Sequence, residues 1–137
     1  PSGVEVRNRI IQDEEALDLF RRCSLVVLPY SGATQSALIA AAYHFNKPVI
    51  VSQSGALPEY VLHGQSGWVA TPNKPTLPAR EFRKCLADPA RLQQMGAVGR
   101  AWYDEQRRVE ERTLLSMYIW LRTSVPVRTG QLVSRPA

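Results

Sequence analysis

Residues 24–52 read "SLVVLPYSGATQSALIAAAYHFNKPVIVS". An unbroken apolar run rich in β-branched residues ends at Pro29, a turn of small polar residues follows, and a helical stretch then leads into a second apolar run, "KPVIVS". Apolar runs that do not alternate with polar residues suit strands covered on both faces, which is the condition of a parallel sheet. A helix between two such strands makes a right-handed crossover. The helix is expected over Thr34 to Phe45, with Leu38, Ile39, Ala42 and Phe45 as its apolar face.

The same alternation extends in both directions. "VEVRNRI", Val4 to Ile10, alternates as a half-buried strand does, and Asp13 is placed to cap "EEALDLFRRC", whose acidic start and Arg21/Arg22 end complement the helix dipole. Downstream, Pro58 suits the first turn of a short helix, "PEYVL", and "HGQSG" is a turn into a fourth strand, "WVAT". Helices are expected over Leu77 to Ala87, Pro89 to Glu105 and Val109 to Thr123. The order predicts an α/β fold, a Rossmann-like parallel sheet with helices on both faces. The chain begins on a strand with no glycine-rich loop before it, so residues 1–125 read as a partial domain and 126–137, which lack periodicity, as a disordered tail.

With 137 residues, 45% of them hydrophobic, the chain has material for one core. Its net charge of +5 is spread over helix faces with no nucleic-acid module signature, so a solvated basic surface is the expectation. An anionic membrane surface, contacted peripherally, and a second copy of the chain remain open as partners. No run approaches the roughly 18 apolar residues of a membrane span, and the reading is of a cytoplasmic protein. Cys23 and Cys85 read as small buried hydrophobes, and His44 and His63 have no partner at ligand spacing, so no metal is expected.

In open parallel sheets, ligands bind beyond the carboxyl ends of the strands, where helix N-termini present free N–H groups to anions. Two loops qualify, "SGATQSA" and "SQSGALPE". Both offer hydroxyls, amides and close backbone approach, which suits a diphosphate and a sugar; ordinary capped strand-to-helix loops have the same composition.

The order of motifs narrows this. "LFRRCSLVVLPY", "KPVIVSQSGALPEYVLHGQSGWVATP" and "LPAREFRKCLADPARLQQMGAVGR" together resemble the C-terminal half of the group 1 (family 4) retaining glycosyltransferases, over Val4 to Glu105. The resemblance implies the donor half of a two-Rossmann-domain enzyme, with a nucleotide diphosphate sugar as substrate, no cofactor, and an acceptor held by an N-terminal half outside this chain. It also implies donor-binding roles for Thr34, Gln35, Ser36, Ala37, Gly55 and Glu59, and a nucleobase edge near Asn8 and Arg9. The family's pair of spaced glutamates falls on Ala33 and Ala41. "ATQSA" and "AYHFNKPV" resemble a branch of the family in which those carboxylates are absent, so the catalytic residues stay unassigned. Departures from that branch are Ala37, Asn46 and Ser54. A non-catalytic nucleotide-binding or interaction domain is the competing expectation. The apolar residues of 109–123 exceed what one sheet face can cover, so Tyr118 and Trp120 are expected to be partly exposed or covered by another copy; Trp102 is expected in the core or at a domain contact.

Overall fold

Strands β1 (Val26–Leu28), β2 (Val49–Ser52) and β3 (Gly67–Ala70) pair in parallel in that order, with Val26, Val49 and Gly67 abreast. This register puts Val26, Leu28, Val49, Val51 and Val69 on one face, and Val27, Ile50 and Trp68 on the other. Each face has its own core. The first gathers Leu28, Val49 and Val51 with Ile39, Ala42, Tyr43, Leu57 and Val61; the second gathers Trp68 with Cys85, Leu92 and Met95, and Ile50 packs against it. Central β2 is therefore covered on both sides, as its continuous apolar sequence requires.

The computed structural model describes residues 3–71 and 79–124, and it divides into two units, the first ending at Asp104 and the second beginning at Glu105. In the first unit the helices are α1 (Asp13–Arg22), α2 (Ala37–His44), a 3-10 turn (Leu57–Tyr60) and α3 (Ala79–Leu86). α4 begins at Pro89 and runs to Ser124. Helices and sheet alternate as the sequence implies, and the first core is contributed by α2 and the 3-10 turn, the second by α3 and the start of α4.

Four expectations need correction. Val4 to Ile10 forms no strand: Val4, Val6 and Ile10 are 67%, 81% and 83% exposed, and Arg7 and Arg9 are instead drawn to Glu15. Alternation marks a strand only where a neighbouring strand and a cover exist for it. Asp13 is the first residue of α1 and not its cap; Gln12 takes that position without a side-chain bond. α2 starts three residues later than expected, because the Ser36 hydroxyl accepts the Leu38 N–H at 3.3 Å and sets the first turn there, and its buried face is Ile39, Ala42 and Tyr43, with Leu38 41% exposed. Finally, 89–105 and 109–123 are one helix, since "EQRRVEER" contains no glycine or proline to break it. The expected tail at 126–137 lies outside the described residues.

The end of α2 accounts for the asparagine at position 46, one of the departures from the branch that the sequence resembles. Asn46 has φ +52°, the left-handed conformation usual after a helix C-terminus, which asparagine tolerates better than other side-chain-bearing residues. The Lys47 N–H donates to Ala42 O at 2.8 Å and the Asn46 N–H to Tyr43 O at 2.9 Å, closing a Schellman motif. Arg100 of α4 donates to the His44 carbonyl, placing a cation on the negative end of the α2 dipole.

The glycines of "QQMGAVGR" are packing residues. A methyl group added to Gly96 would stand 1.7 Å from the Asn46 carbonyl oxygen, and one on Gly99 would stand 2.2 Å from the Tyr43 ring. α4 thus lies directly on the α2–β2 connection. Its earlier residues Leu92 and Met95 belong to the second core, while Trp102 and Tyr103 pack on the first. In the second unit, Leu114, Leu115, Tyr118, Ile119 and Trp120 are each more than half exposed, in line with the surplus of apolar residues in that segment.

Gly96→Ala should lower stability by about 1–3 kcal/mol, because the obstructing atom is backbone and cannot rotate away. Chemical denaturation of the variant beside wild type measures it; an unchanged midpoint would show that α4 does not approach Asn46 this closely.

Candidate functional site

The loops after β1 and β2 both leave the carboxyl edge of the sheet, and two contacts bring them together. The Ser52 hydroxyl donates to the Tyr30 carbonyl, joining the end of β2 to the end of β1. Gly55, at φ +52°, lies so close to the first loop that a Cβ on it would fall 1.5 Å from Ala33 O and 3.5 Å from the Thr34 Cα. Only glycine fits there, for both conformation and space. Farther along, the Tyr43 hydroxyl, carried by α2, donates to the Tyr60 carbonyl at 3.0 Å, at the end of the 3-10 turn that bears Glu59.

The expected donor-binding residues therefore fall into one continuous surface in part. Thr34, Gln35 and Ala37 are exposed around the start of α2, and Ser36 is half-buried at the N-cap with φ −143°. Of the first helical N–H groups, that of Leu38 goes to the Ser36 hydroxyl and that of Ile39 to the Ser36 carbonyl at 3.2 Å, which leaves the Ala37 N–H and the positive end of the dipole to solvent. Its first turn carries no acidic residue. Gly55 abuts this turn. Glu59 is exposed on the neighbouring 3-10 turn, its N–H given to Ala56 O at 3.0 Å.

Asn8 and Arg9 are placed differently. Both are exposed, Arg9 holds Glu15 through two bonds of 2.7 and 2.8 Å, and among the described residues no hydrogen bond or ion pair joins either to the two loops. Arg9 and, after it, Arg7 hold the Glu15 carboxyl below its ordinary range. His63 is structural: its Nδ1 accepts the Val69 N–H at 3.0 Å. Among the described residues there is no group of three or more His, Cys, Asp or Glu side chains able to hold a metal ion, and no helix long and apolar enough to cross a membrane.

Sequence reasoning missed Ser52, Tyr43 and Ser66. Tyr43 is fully buried, and burial pushes its hydroxyl pKa up to about 12; like any tyrosine it is protonated at neutral pH and able to donate. The signal for it was a large side chain with a polar tip inside "ALIAAAYHF", on a helix otherwise made mostly of small residues.

A parallel α/β sheet with helices packed on both faces defines a Rossmann-like unit. Residues 1–88 match the family model described as glycosyl transferases group 1, and the chain belongs to that family. It is 32% identical over 94 residues to a D-inositol 3-phosphate glycosyltransferase of Streptomyces bingchenggensis, a match covering 69% of this chain and 20% of that protein. It is 27% identical over 95 residues to a trehalose phosphorylase of Pleurotus sajor-caju, covering 69% of this chain and 12% of the relative. The sucrose-phosphate synthase of Thermosynechococcus elongatus superposes with a TM-score of 0.55 at 25% identity, over 77% of this chain and 29% of that one. The chain thus spans a fifth or less of the length of these two curated relatives.

Ser36→Ala should cost about 0.5–2 kcal/mol through loss of the α2 cap, whereas Ser36→Asp, which keeps an acceptor, should stay within about 0.5 kcal/mol of wild type. Urea unfolding of the pair is the measurement. Equal losses would remove the cap as the reason α2 begins where it does.

Proposed function

We propose that this chain is the donor-binding part of a retaining glycosyltransferase that uses a nucleotide diphosphate sugar. The observation that carries the proposal is the seating of Gly55 against Ala33 and Thr34, which merges the two carboxyl-edge loops into one surface beside the open N-terminus of α2. Membership of the group 1 family and the activities named for the relatives support it.

In this reading the N–H groups of Gln35, Ser36 and Ala37 receive the phosphate nearest the sugar. The bond from the sugar's anomeric carbon to that phosphate breaks, its electron pair stays on the phosphate oxygen, and the helix start stabilises the charge as it forms. The acceptor hydroxyl oxygen then bonds to the same face of the carbon, its proton passing to the departing phosphate. Such a reaction places more demand on leaving-group stabilisation than on a strong base, and a turn with alanine at 33 and 41 meets it. Acceptor binding and the remaining phosphate contacts fall to other parts of the polypeptide. No metal or cofactor enters the scheme, and its setting is the cytoplasm.

Alanine at positions 33 and 41 also favours a second reading, a domain that binds a nucleotide without catalysing transfer. Titration of the full polypeptide with UDP, GDP and ADP, followed by a transfer assay with the sugar form of whichever binds, separates the two. Binding with turnover supports the enzyme, binding without turnover the second reading, and no binding sinks both.

The phosphate site has a specific test. Proline at Ser36 would both remove an N–H and violate the φ of −143°, but Ala37 is the first helical residue and follows an extended one, the setting proline accepts. Ala37→Pro should preserve the fold and weaken diphosphate binding about two- to tenfold by deleting one N–H donor. Unchanged affinity in the folded variant would exclude that N–H from the site.

A further inference from the structure

Four groups in the first core form a hydrogen-bonded chain whose direction is set by proton count. Tyr43 Oη lies 3.0 Å from the Tyr60 carbonyl and 2.8 Å from Ser66 Oγ, and Ser66 Oγ lies 2.9 Å from the Leu62 nitrogen. The Tyr60 carbonyl can only accept, so the single phenolic proton goes to it. The Ser66 hydroxyl must then donate to Tyr43, and its oxygen accepts from the Leu62 N–H. Tyr43 and Ser66 are both fully buried, so water cannot replace a lost member.

This chain ties α2 to the segment around Glu59. α2 begins at the proposed phosphate turn; Tyr60 closes the 3-10 turn that bears Glu59, and Leu62 lies two residues on. The Tyr43 ring is closely packed, with Gly99 against its edge and the tilted Tyr103 ring centred 6.3 Å away. Chemically, Glu59 is unsuited to the phosphates, which its charge repels, and suited to accepting hydrogen bonds from hydroxyl groups. We infer that Tyr43 is a positioning residue: through the Tyr60 carbonyl it holds Glu59 in place to accept hydrogen bonds from hydroxyls of the donor's sugar. This rests on the donor-binding role proposed above. It divides the surface between an N–H turn for phosphate and a carboxylate for sugar, with Tyr43 setting the distance between them.

The test uses the full polypeptide and calorimetric titration with UDP, GDP and ADP and with UDP-glucose, GDP-mannose and ADP-glucose. The readout is the sugar advantage, the ratio of diphosphate to diphosphate-sugar dissociation constants. Tyr43→Phe and Glu59→Gln should each reduce it about two- to tenfold without weakening the binding of the bare diphosphate, and the double variant should lose no more than Glu59→Gln alone. Additive losses would show that Tyr43 does not act through Glu59. Equal loss for the bare diphosphate would show a general loosening of the fold, and overturns the inference while leaving donor binding intact. Failure of wild type to bind any of the six compounds overturns the donor-binding reading itself. Where Tyr43→Phe is too unstable to titrate, Ser66→Ala carries the test: a reduced sugar advantage supports the inference and an unchanged one overturns it.

Discussion

The structure of the first unit depends on burying one tyrosine inside a helix made mostly of small residues. Tyr43 lies at the centre of the larger core, where its ring supplies apolar area and its hydroxyl has to be satisfied without water. Both demands are met by residues far away in sequence. Gly99 clears space for the ring, and Tyr60 and Ser66 accept and donate at the hydroxyl. Removing any of these leaves either a clash or an unpaired buried polar group, so α2, α4 and the segment from Leu57 to Ser66 constrain one another.

That arrangement serves the carboxyl edge of the sheet. Ser36 begins α2 and Asn46 ends it, the one by an accepted N–H and the other by a left-handed turn, so the helix has little freedom to slide along its axis. Its N-terminus is thereby held against the loop containing Gly55. The β1 and β2 loops carry mostly small residues because each must come within van der Waals distance of the other's backbone. Ion pairs of the first unit lie elsewhere, among them those of Arg7 and Arg9 with Glu15, Arg22 with Asp18 and Arg100 with Asp104. The loop surface is left neutral apart from Glu59, and the dipole of α2 is then its main electrostatic feature.

The group 1 glycosyltransferase family accommodates this chain without the pair of glutamates that the broader resemblance leads one to expect. The Ala33 carbonyl is in contact with Gly55, so the backbone at this position has a structural duty whatever side chain it carries. The "G-x-x-G" of α4 is similar. Gly96 and Gly99 allow close backbone approach to Asn46 and close packing of the Tyr43 ring.

The sequence alone determined the α/β class, the parallel pairing of three apolar runs, the position of the two carboxyl-edge loops and the surplus of apolar residues in 109–123. These are local or periodic properties: continuous apolar runs demand double-sided cover, and small polar residues between strand and helix demand a turn. What only the tertiary structure decided is which signals were used. Val4 to Ile10 alternates like a strand and remains unpaired, because pairing depends on a neighbour that periodicity does not encode. Expected ligands and unexpected supports were separated in the same way. Gly55 joins Ala33 across 22 residues and Tyr43 joins Ser66 across 23, while Arg9 turns to Glu15 only six residues on. A hydrogen-bond donor's partner is chosen by the fold's geometry, and for a buried tyrosine that partner is whatever carbonyl the packing of distant segments brings within 3.0 Å.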